Sequence, residues 1–353
     1  MTDKHFVEHI KIENFKCFDS LKVENLRRVN LLGGDNNVGK SAFLETLEIV
    51  AKTENPLSLI IALRDCIKRR QAYNSQFSEF DVITYEQDIL QCHTNTLSIT
   101  LKIRSGTQTS LSDTRNVSEQ PDSELDDNWF LEIAVNNHSD TIPYNKLIEI
   151  INQKGDSFAR RTRFNENSDF IPSTSLDERK LSALYGNIVD MGMMGNINTF
   201  LKEFDPRIEF LVIRPTEQDS VFKVKLIDKH KPVLLSSMGG GLNRYIAIVC
   251  AIWKSKDGQL FIDEVENGIH YAKYDKLWEI IFKTSRQANC QVFATTHSKE
   301  CIEAFSRVAE KYDQEQIKYI NFSRTIDNPD KIVATVLDSV GLENNFQLGL
   351  DVR

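Results

Sequence analysis

The sequence predicts an α/β fold built on a largely parallel sheet, and three observations support this prediction. In the second half of the chain, short apolar stretches of strand length alternate with longer stretches of helical periodicity. Near the N-terminus, an apolar run at residues 29–32 leads through two glycines into a helical pattern at 40–50. Two further apolar runs, at 260–263 and 291–295, each end at polar residues. Because parallel strands present their carboxyl ends at one edge of the sheet, we expect the functional site at that edge.

The composition limits the class of protein. With 353 residues, 41% of them hydrophobic, the chain can bury one large core and a second, smaller unit. Its 43 basic and 51 acidic residues give a net charge of -8, which excludes a uniformly basic surface for coating nucleic acid. The sequence contains neither an apolar run of bilayer length nor a secretory signal pattern, so we expect a soluble, cytoplasmic protein without membrane contact. Six scattered cysteines without a Cys-x-x-Cys pair favour neither a zinc site nor a disulfide framework.

Two local clusters of basic residues lie within this acidic chain. Each cluster has two interpretations, a solvated charged face or a site for nucleic-acid phosphates. The sequence leaves both interpretations open, and any contact with nucleic acid must be local. The clusters are Arg64, Lys68, Arg69 and Arg70, and Arg160, Arg161 and Arg163.

The chain divides into a discontinuous core and an insertion. Residues 1–51 and 206–353 carry the strand and helix pattern of the core. We expect residues 52–205 to be a mostly helical insertion that serves dimerisation, partner binding or regulation. Within it, residues 96–103 alternate like a strand and 130–135 are expected to pair with them.

The strongest motif is a complete match to G-x-x-x-x-G-K-[ST], placed between a predicted strand and a predicted helix. Glycines let the backbone N–H groups approach nucleotide phosphates, and the helix N-terminus favours negative charge. Lys40 is predicted to neutralise the β- and γ-phosphates without contacting the core, and Ser41 to bind Mg²⁺. The alternative is an ordinary glycine-rich turn. The predicted nucleotide-binding residues are Gly34, Asp35, Asn36, Asn37, Val38, Gly39, Lys40, Ser41 and Ala42.

An acidic pair ends the apolar run at residues 260–263. Buried strands seldom finish in adjacent carboxylates without a compensating charge, because an unpaired buried carboxylate is costly. Asp263 is predicted to hold Mg²⁺ and Glu264 to act as the catalytic base on the attacking water. The alternative is a strand whose acids simply face solvent.

His297 follows the next apolar strand, which we expect to lie beside the strand of Asp263. It is therefore predicted to lie near the γ-phosphate as a sensor, although a lone histidine after a strand is often a surface residue. A second glycine-rich turn, at residues 235–244, opens a helix. It is either a tight turn or an anion contact supplied to another subunit.

Taken together, these motifs resemble the ABC-class ATPases of the RecF, SMC and OLD group, and within it the stand-alone OLD-like AAA family ATPases of bacteria. The resemblance includes the start of the chain and most of its second half, whereas residues 52–165 show no clear counterpart. The matching segments are His9 to Lys16, GDNNVGKS, SMGGGLNR, LFIDEVENGIH and ATTHSKECIEA.

The resemblance implies a P-loop NTPase fold of the ABC-ATPase head type, with a mixed sheet flanked by helices. It also implies ATP and Mg²⁺ as cofactors and a head-to-tail dimer, or a higher even oligomer. In such a dimer the second turn would contact ATP in trans, and residues 266–270 would cross the interface. This turn departs from Leu-Ser-Gly-Gly-Gln, so either serine is a candidate; the trans residues implied are Ser236, Ser237, Gly239 and Gly241. A magnesium-binding glutamine is not assigned among Gln76, Gln87 and Gln91.

Several functions are compatible with this resemblance. Sparse acids after His297 do not have the layout of the Toprim nuclease domain found in OLD proteins, and no long heptad arms suggest chromosome tethering. The favoured hypothesis is an ATP-driven switch that controls a separate effector protein, plausibly in bacterial anti-phage defence. The alternatives are a RecF-like ATPase of DNA repair or DNA ends and, less favoured, the ATPase subunit of a transporter.

Overall fold

The structure is a computed structural model that describes residues 5–53, 56–70, 88–105, 129–143, 167–174, 176, 178–215 and 220–347. The basic cluster at residues 160–163 lies outside these ranges, as do Gln76 and Gln87. Gln91 lies in a strand, paired with Glu13 of the first strand.

Fifteen strands and eight α-helices are formed by the described residues. The helices are α1 (Lys40–Ala51), α2 (Pro56–Arg70), α3 (Glu178–Asp190), α4 (Met194–Phe204), α5 (Gly240–Lys254), α6 (Tyr274–Ala288), α7 (Lys299–Ala309) and α8 (Ser339–Gln347). The strands are β1 (Ile10–Phe15), β2 (Phe18–Val23), β3 (Val29–Gly34), β4 (Asp88–Thr94), β5 (Ser98–Ser105), β6 (Trp129–Val135), β7 (His138–Pro143), β8 (Ser168–Ile171), β9 (Ile208–Pro215), β10 (Ser220–Leu226), β11 (Val233–Leu234), β12 (Gln259–Ile262), β13 (Gln291–Thr295), β14 (Ile317–Arg324) and β15 (Ile332–Leu337).

The central sheet has the strand order β15-β14-β3-β13-β12-β8. Its strands are parallel except β15, which runs antiparallel to β14, so the sheet is mixed. β13 lies between β3 and β12, which confirms that the strand before His297 is the neighbour of the strand before Asp263. Three candidate segments therefore leave adjacent strands at one edge of the sheet.

Alternating side chains give the central sheet two apolar faces. On one face, Phe261 and Phe293 stack with their ring centroids 5.9 Å apart and join the core beneath α1. On the other face, Leu260, Ile262 and Val292 pack in the core that includes α5, α6 and α7. Every residue of β13 is buried, as expected of a central strand covered on both faces.

The described strands of residues 52–205 belong to the sheets of the core, whereas a separate insertion is expected from the sequence. Their described part mixes three helices with five strands. The four strands β4 to β7 extend the antiparallel sheet that β1 and β2 begin, and β8 pairs in parallel with β12 in the central sheet. The predicted boundaries at 51/52 and 205/206 therefore cut through both sheets. The predicted pairing within this region is confirmed, since β5 and β6 are antiparallel neighbours with Ile99 opposite Val135.

A third sheet, β11-β10-β9, precedes the glycine-rich turn at residues 235–244. β11 ends at Leu234, and residues Leu235–Met238 form a 3₁₀ turn. All six cysteines are free thiols. Among the described residues, no helix is both long and apolar enough to cross a membrane.

Candidate active site

The loop between β3 and α1 takes a backbone path that requires glycine. Gly34 and Gly39 have φ angles of 126° and 86°, a region that side chains disfavour. A Cβ atom on Gly34 would lie 2.1 Å from the carbonyl oxygen of Phe322, and one on Gly39 would lie 2.6 Å from the Sγ of Cys17. The loop therefore packs directly against neighbouring backbone and side chains, which leaves its own N–H groups for a ligand.

Lys40 opens α1 and is only 4% exposed. Its Nζ donates hydrogen bonds to the carbonyl oxygens of Gly34 (2.7 Å) and Asp35 (2.6 Å). Burial lowers the pKa of its ammonium group to about 8, although Asp35 and Asp263 partly oppose this effect. Lys40 therefore also supports its own loop, because the ammonium group connects the carbonyl oxygens of Gly34 and Asp35.

The remaining loop residues divide by exposure. Asp35, Asn36 and Asn37 face solvent, whereas Val38 and Ala42 are buried against the core beneath α1. Arg324 at the end of β14 donates from Nη2 to the carbonyl oxygen of Asn37 at 3.0 Å. The loop is thus held by the core beneath α1 and by Arg324 of the neighbouring strand β14.

Asp263 connects the acidic segment to the glycine loop. Its Oδ1 accepts hydrogen bonds from the Ser41 hydroxyl at 3.2 Å and from the Thr295 hydroxyl at 2.7 Å. A hydroxyl and one carboxylate, completed by substrate phosphates and water, are the ligands that Mg²⁺ usually takes in nucleotide sites. Ser41 and Asp263 therefore fit the predicted magnesium position.

Glu264 and His297 meet at the same sheet edge. The Glu264 backbone has a φ of 50°, an uncommon left-handed conformation for a non-glycine residue. Its N–H donates to the Thr295 hydroxyl at 2.8 Å. Its Oε1 lies 3.7 Å from Nε2 of His297, and both side chains are 38% exposed. A carboxylate and an imidazole that are close together and open to solvent can share a water molecule or a phosphate oxygen.

Arg244 fixes the backbone of the acidic pair. This guanidinium group belongs to α5, is 5% exposed, and donates from Nη2 to the carbonyl oxygens of Asp263 (2.5 Å) and Glu264 (2.9 Å). It also donates from Nη1 to the carbonyl oxygen of Pro172. Burial lowers the pKa of Arg244 to about 10, so it remains cationic at neutral pH. The unusual turn at Glu264 is therefore held by the helix that follows the second glycine-rich turn.

That second turn has an open outer surface. Ser236, Ser237 and Gly239 are exposed, and a Cβ atom added to Gly239 or Gly240 would meet nothing within 4 Å. The Ser237 hydroxyl donates to the carbonyl oxygen of Leu234 at 2.6 Å. Within the described ranges, no hydrogen bond or ion pair joins the turn to the glycine loop of the same chain.

The inner side of the turn packs tightly against the segment that follows Glu264. A Cβ atom on Gly241 would lie 2.6 Å from the carbonyl oxygen of Gly268. The resemblance implies that Gly241 contacts ATP in trans. In the structure, Gly241 faces its own chain.

Residues 29–303 match the family described as "AAA domain, putative AbiEii toxin, Type IV TA system". The chain belongs to this family. It is a P-loop ATPase, as the sequence predicted.

Three individual proteins that this chain resembles are each less than 30% identical to it. An "ATP/GTP phosphatase" from Helicobacter pylori is 27% identical over 336 residues, which cover 87% of this chain and 89% of the relative. The SMC head bound to the C-terminal winged-helix domain of ScpA is 12% identical with a TM-score of 0.48, over 97% of this chain and 99% of that one. The SMC head of Thermotoga maritima is 12% identical with a TM-score of 0.43, over 94% and 98% of the two chains.

Three supporting residues of this ATPase were not assigned a role from sequence: Thr295, Arg244 and Arg324. Each binds a main-chain or side-chain group far away in sequence. A buried basic residue in a helix and a threonine at a strand end are too common to single out. Only Thr295 could have been identified from sequence, because it is the last residue of the strand that precedes His297.

The two adjacent glycines of α5 provide a matched pair of variants. Gly241→Ala should lower the free energy of unfolding by about 1–3 kcal/mol, because its methyl group would overlap the Gly268 carbonyl. Gly240→Ala, with open space at its Cβ, should change stability by less than about 0.5 kcal/mol. Urea unfolding without nucleotide measures both. Equal stabilities for the two variants would contradict the close packing of the turn on residue 268.

Proposed function

We propose that this ATPase hydrolyses MgATP with Glu264 as the catalytic base and His297 as the γ-phosphate sensor, and that ATP closes two copies head to tail. The observation that carries the proposal is the convergence of four groups at one sheet edge. Lys40 and the Ser41–Asp263 pair lie at the glycine loop, and Glu264 lies 3.7 Å from His297.

Each group has a separate task. Lys40 binds phosphate oxygens. Their negative charge offsets the cost of burying its ammonium group. Ser41 and Asp263 hold Mg²⁺, which neutralises charge on the phosphates when it is bound. Glu264 accepts the proton of the attacking water, and its solvent-open carboxylate can reach that water directly. His297 contacts the γ-phosphate and sets its position relative to Glu264.

The proposed dimer is supported by the surface of the second turn. Ser236, Gly239 and Gly240 face open space, which suits close approach by a phosphate of another subunit. Ser236 is the better candidate for this contact, because the Ser237 hydroxyl already binds the Leu234 carbonyl. Gly241 instead supports the turn from within its own chain.

We further propose that the closed dimer controls a separate effector protein in bacterial defence against phage. The support is the family description, which names a toxin of a type IV toxin–antitoxin system, together with the ATP/GTP phosphatase named among the relatives. If bound ATP favours the closed state of the ATPase, closure can expose or cover a surface that the effector protein binds.

The experiment compares two tagged baits in the native host. Glu264→Gln is designed to stay loaded with ATP, and Lys40→Ala is designed to stay without nucleotide. The proposal expects one defined protein to co-purify with the first bait and to be lost from the second. If both baits retain the same proteins, or if the loaded bait retains only nucleic acid, the effector hypothesis fails. The second outcome would favour a DNA-end-binding ATPase.

A further inference from the structure

We infer that Glu266 is a positioning residue for catalysis, which places His297 by holding the backbone of its loop. The inference rests on the sensor role proposed above for His297. It concerns a side chain two residues beyond Glu264 that accepts hydrogen bonds from the backbone of the His297 loop.

One carboxylate oxygen of Glu266 binds two consecutive amides. Its Oε1 accepts hydrogen bonds from the N–H of His297 at 2.9 Å and from the N–H of Ser298 at 3.2 Å. Ser298 is the N-cap of α7, and its own hydroxyl accepts from the N–H of Cys301 at 3.1 Å. Glu266 therefore binds the loop between the end of β13 and the first turn of α7.

The same segment is attached to β13 at two further points. The N–H of Val265 donates to the carbonyl oxygen of Thr295 at 2.9 Å, and the N–H of Glu264 donates to the Thr295 hydroxyl at 2.8 Å. Residues 264–266 and 295–298 thus form one unit, in which Glu264 belongs to the first segment and His297 to the second. The 3.7 Å separation of their side chains depends on this unit.

The other oxygen of Glu266 is not used in this loop contact. Oε2 is shielded from solvent and has no hydrogen-bond partner among the described residues. A buried acceptor without a partner destabilises a fold. The carboxylate lies close enough to Lys40 and Arg244 to oppose in part the lowering of their pKa values by burial, so its charge is offset by groups of the active site itself.

The function of this arrangement is geometric. A displacement of a catalytic group by about 1 Å can slow a reaction about a hundredfold. Without the Glu266 acceptor, the N–H of His297 would turn to water and the N–H of Ser298 would keep only the Thr296 hydroxyl, at 3.1 Å. The loop would then lose its fixed distance from Glu264. ATP affinity, which rests on the glycine loop and Lys40, would change little.

A double-mutant cycle tests the inference. We expect Glu266→Ala to lower kcat for ATP about tenfold with little change in KM. In a His297→Ala background the same change should have almost no effect on kcat, because it acts through the imidazole. Glu266→Gln should keep most of the activity, since its amide oxygen can accept the same two hydrogen bonds. Glu303→Ala, on α7 and paired with Lys299 at 4.0 Å, is the control.

The outcomes separate this inference from the proposed function. If His297→Ala hydrolyses ATP at the wild-type rate, the sensor role itself fails. If His297→Ala is slow but Glu266→Ala slows it further by the same factor as in the wild type, only the inference fails. Should Glu266→Ala not fold by melting temperature, Glu266→Gln decides: wild-type-like kcat supports the acceptor role, and a tenfold loss overturns it.

Discussion

Glu264→Gln is expected to lower steady-state ATP turnover at least about a hundredfold while ATP still binds. The amide keeps the size of the side chain but cannot accept a proton from water. The change is local, because the Glu264 side chain is 38% exposed and its backbone is held by Arg244 and Thr295. The protein should therefore accumulate as a closed, nucleotide-loaded assembly.

The measurement is ATPase activity beside size-exclusion chromatography with ATP. Glu303→Gln, an equivalent change on the neighbouring helix α7, should match the wild type in both assays. Asp263→Ala provides a contrast, since it removes the acceptor of the Ser41 and Thr295 hydroxyls and should impair magnesium-dependent binding as well. A Glu264→Gln protein that turns over at near the wild-type rate would refute the role of the carboxylate as base.

Lys40→Ala is expected to weaken ATP binding about a hundredfold or more, because a charged contact to phosphate contributes up to about 3 kcal/mol. The loss of two hydrogen bonds to the Gly34 and Asp35 carbonyls is partly offset by removal of a buried charge. The melting temperature without nucleotide should therefore change little.

Isothermal titration with ATP and a thermal melt on the same samples check this prediction. Lys276→Ala is a suitable control, since its ammonium group is paired with Glu279 at the surface. Wild-type affinity in Lys40→Ala would contradict the phosphate-binding role of the loop. A folded state lost at ambient temperature would instead show that the ammonium group mainly supports the loop.

The central sheet and the four groups at its edge were predictable because each is encoded locally. The glycine loop, the acidic pair and His297 each directly follow an apolar strand, and β3, β13 and β12 follow the ordinary rules for parallel connections. The order of these strands then brings the three segments together without further information.

The structural supports of the site were not predictable in the same way. The Arg244 contact with the Glu264 carbonyl and the Glu266 contact with the His297 amide join residues 20 and 31 positions apart. Such contacts depend on the packing of helices and loops, which leaves no periodic pattern in the sequence. The four-residue strand β8 is likewise too short to show a pattern, so its place in the central sheet was missed.

The most direct test of the account is a mixing experiment on the composite site. Lys40→Ala damages the glycine loop, and Ser236→Arg blocks the exposed second turn without altering its buried side. Each variant alone should be inactive. If ATP binds between two subunits, an equimolar mixture contains heterodimers with one intact site, and activity should return to about a quarter of the wild-type rate. A mixture as inactive as its components would contradict a site shared between two copies of the chain.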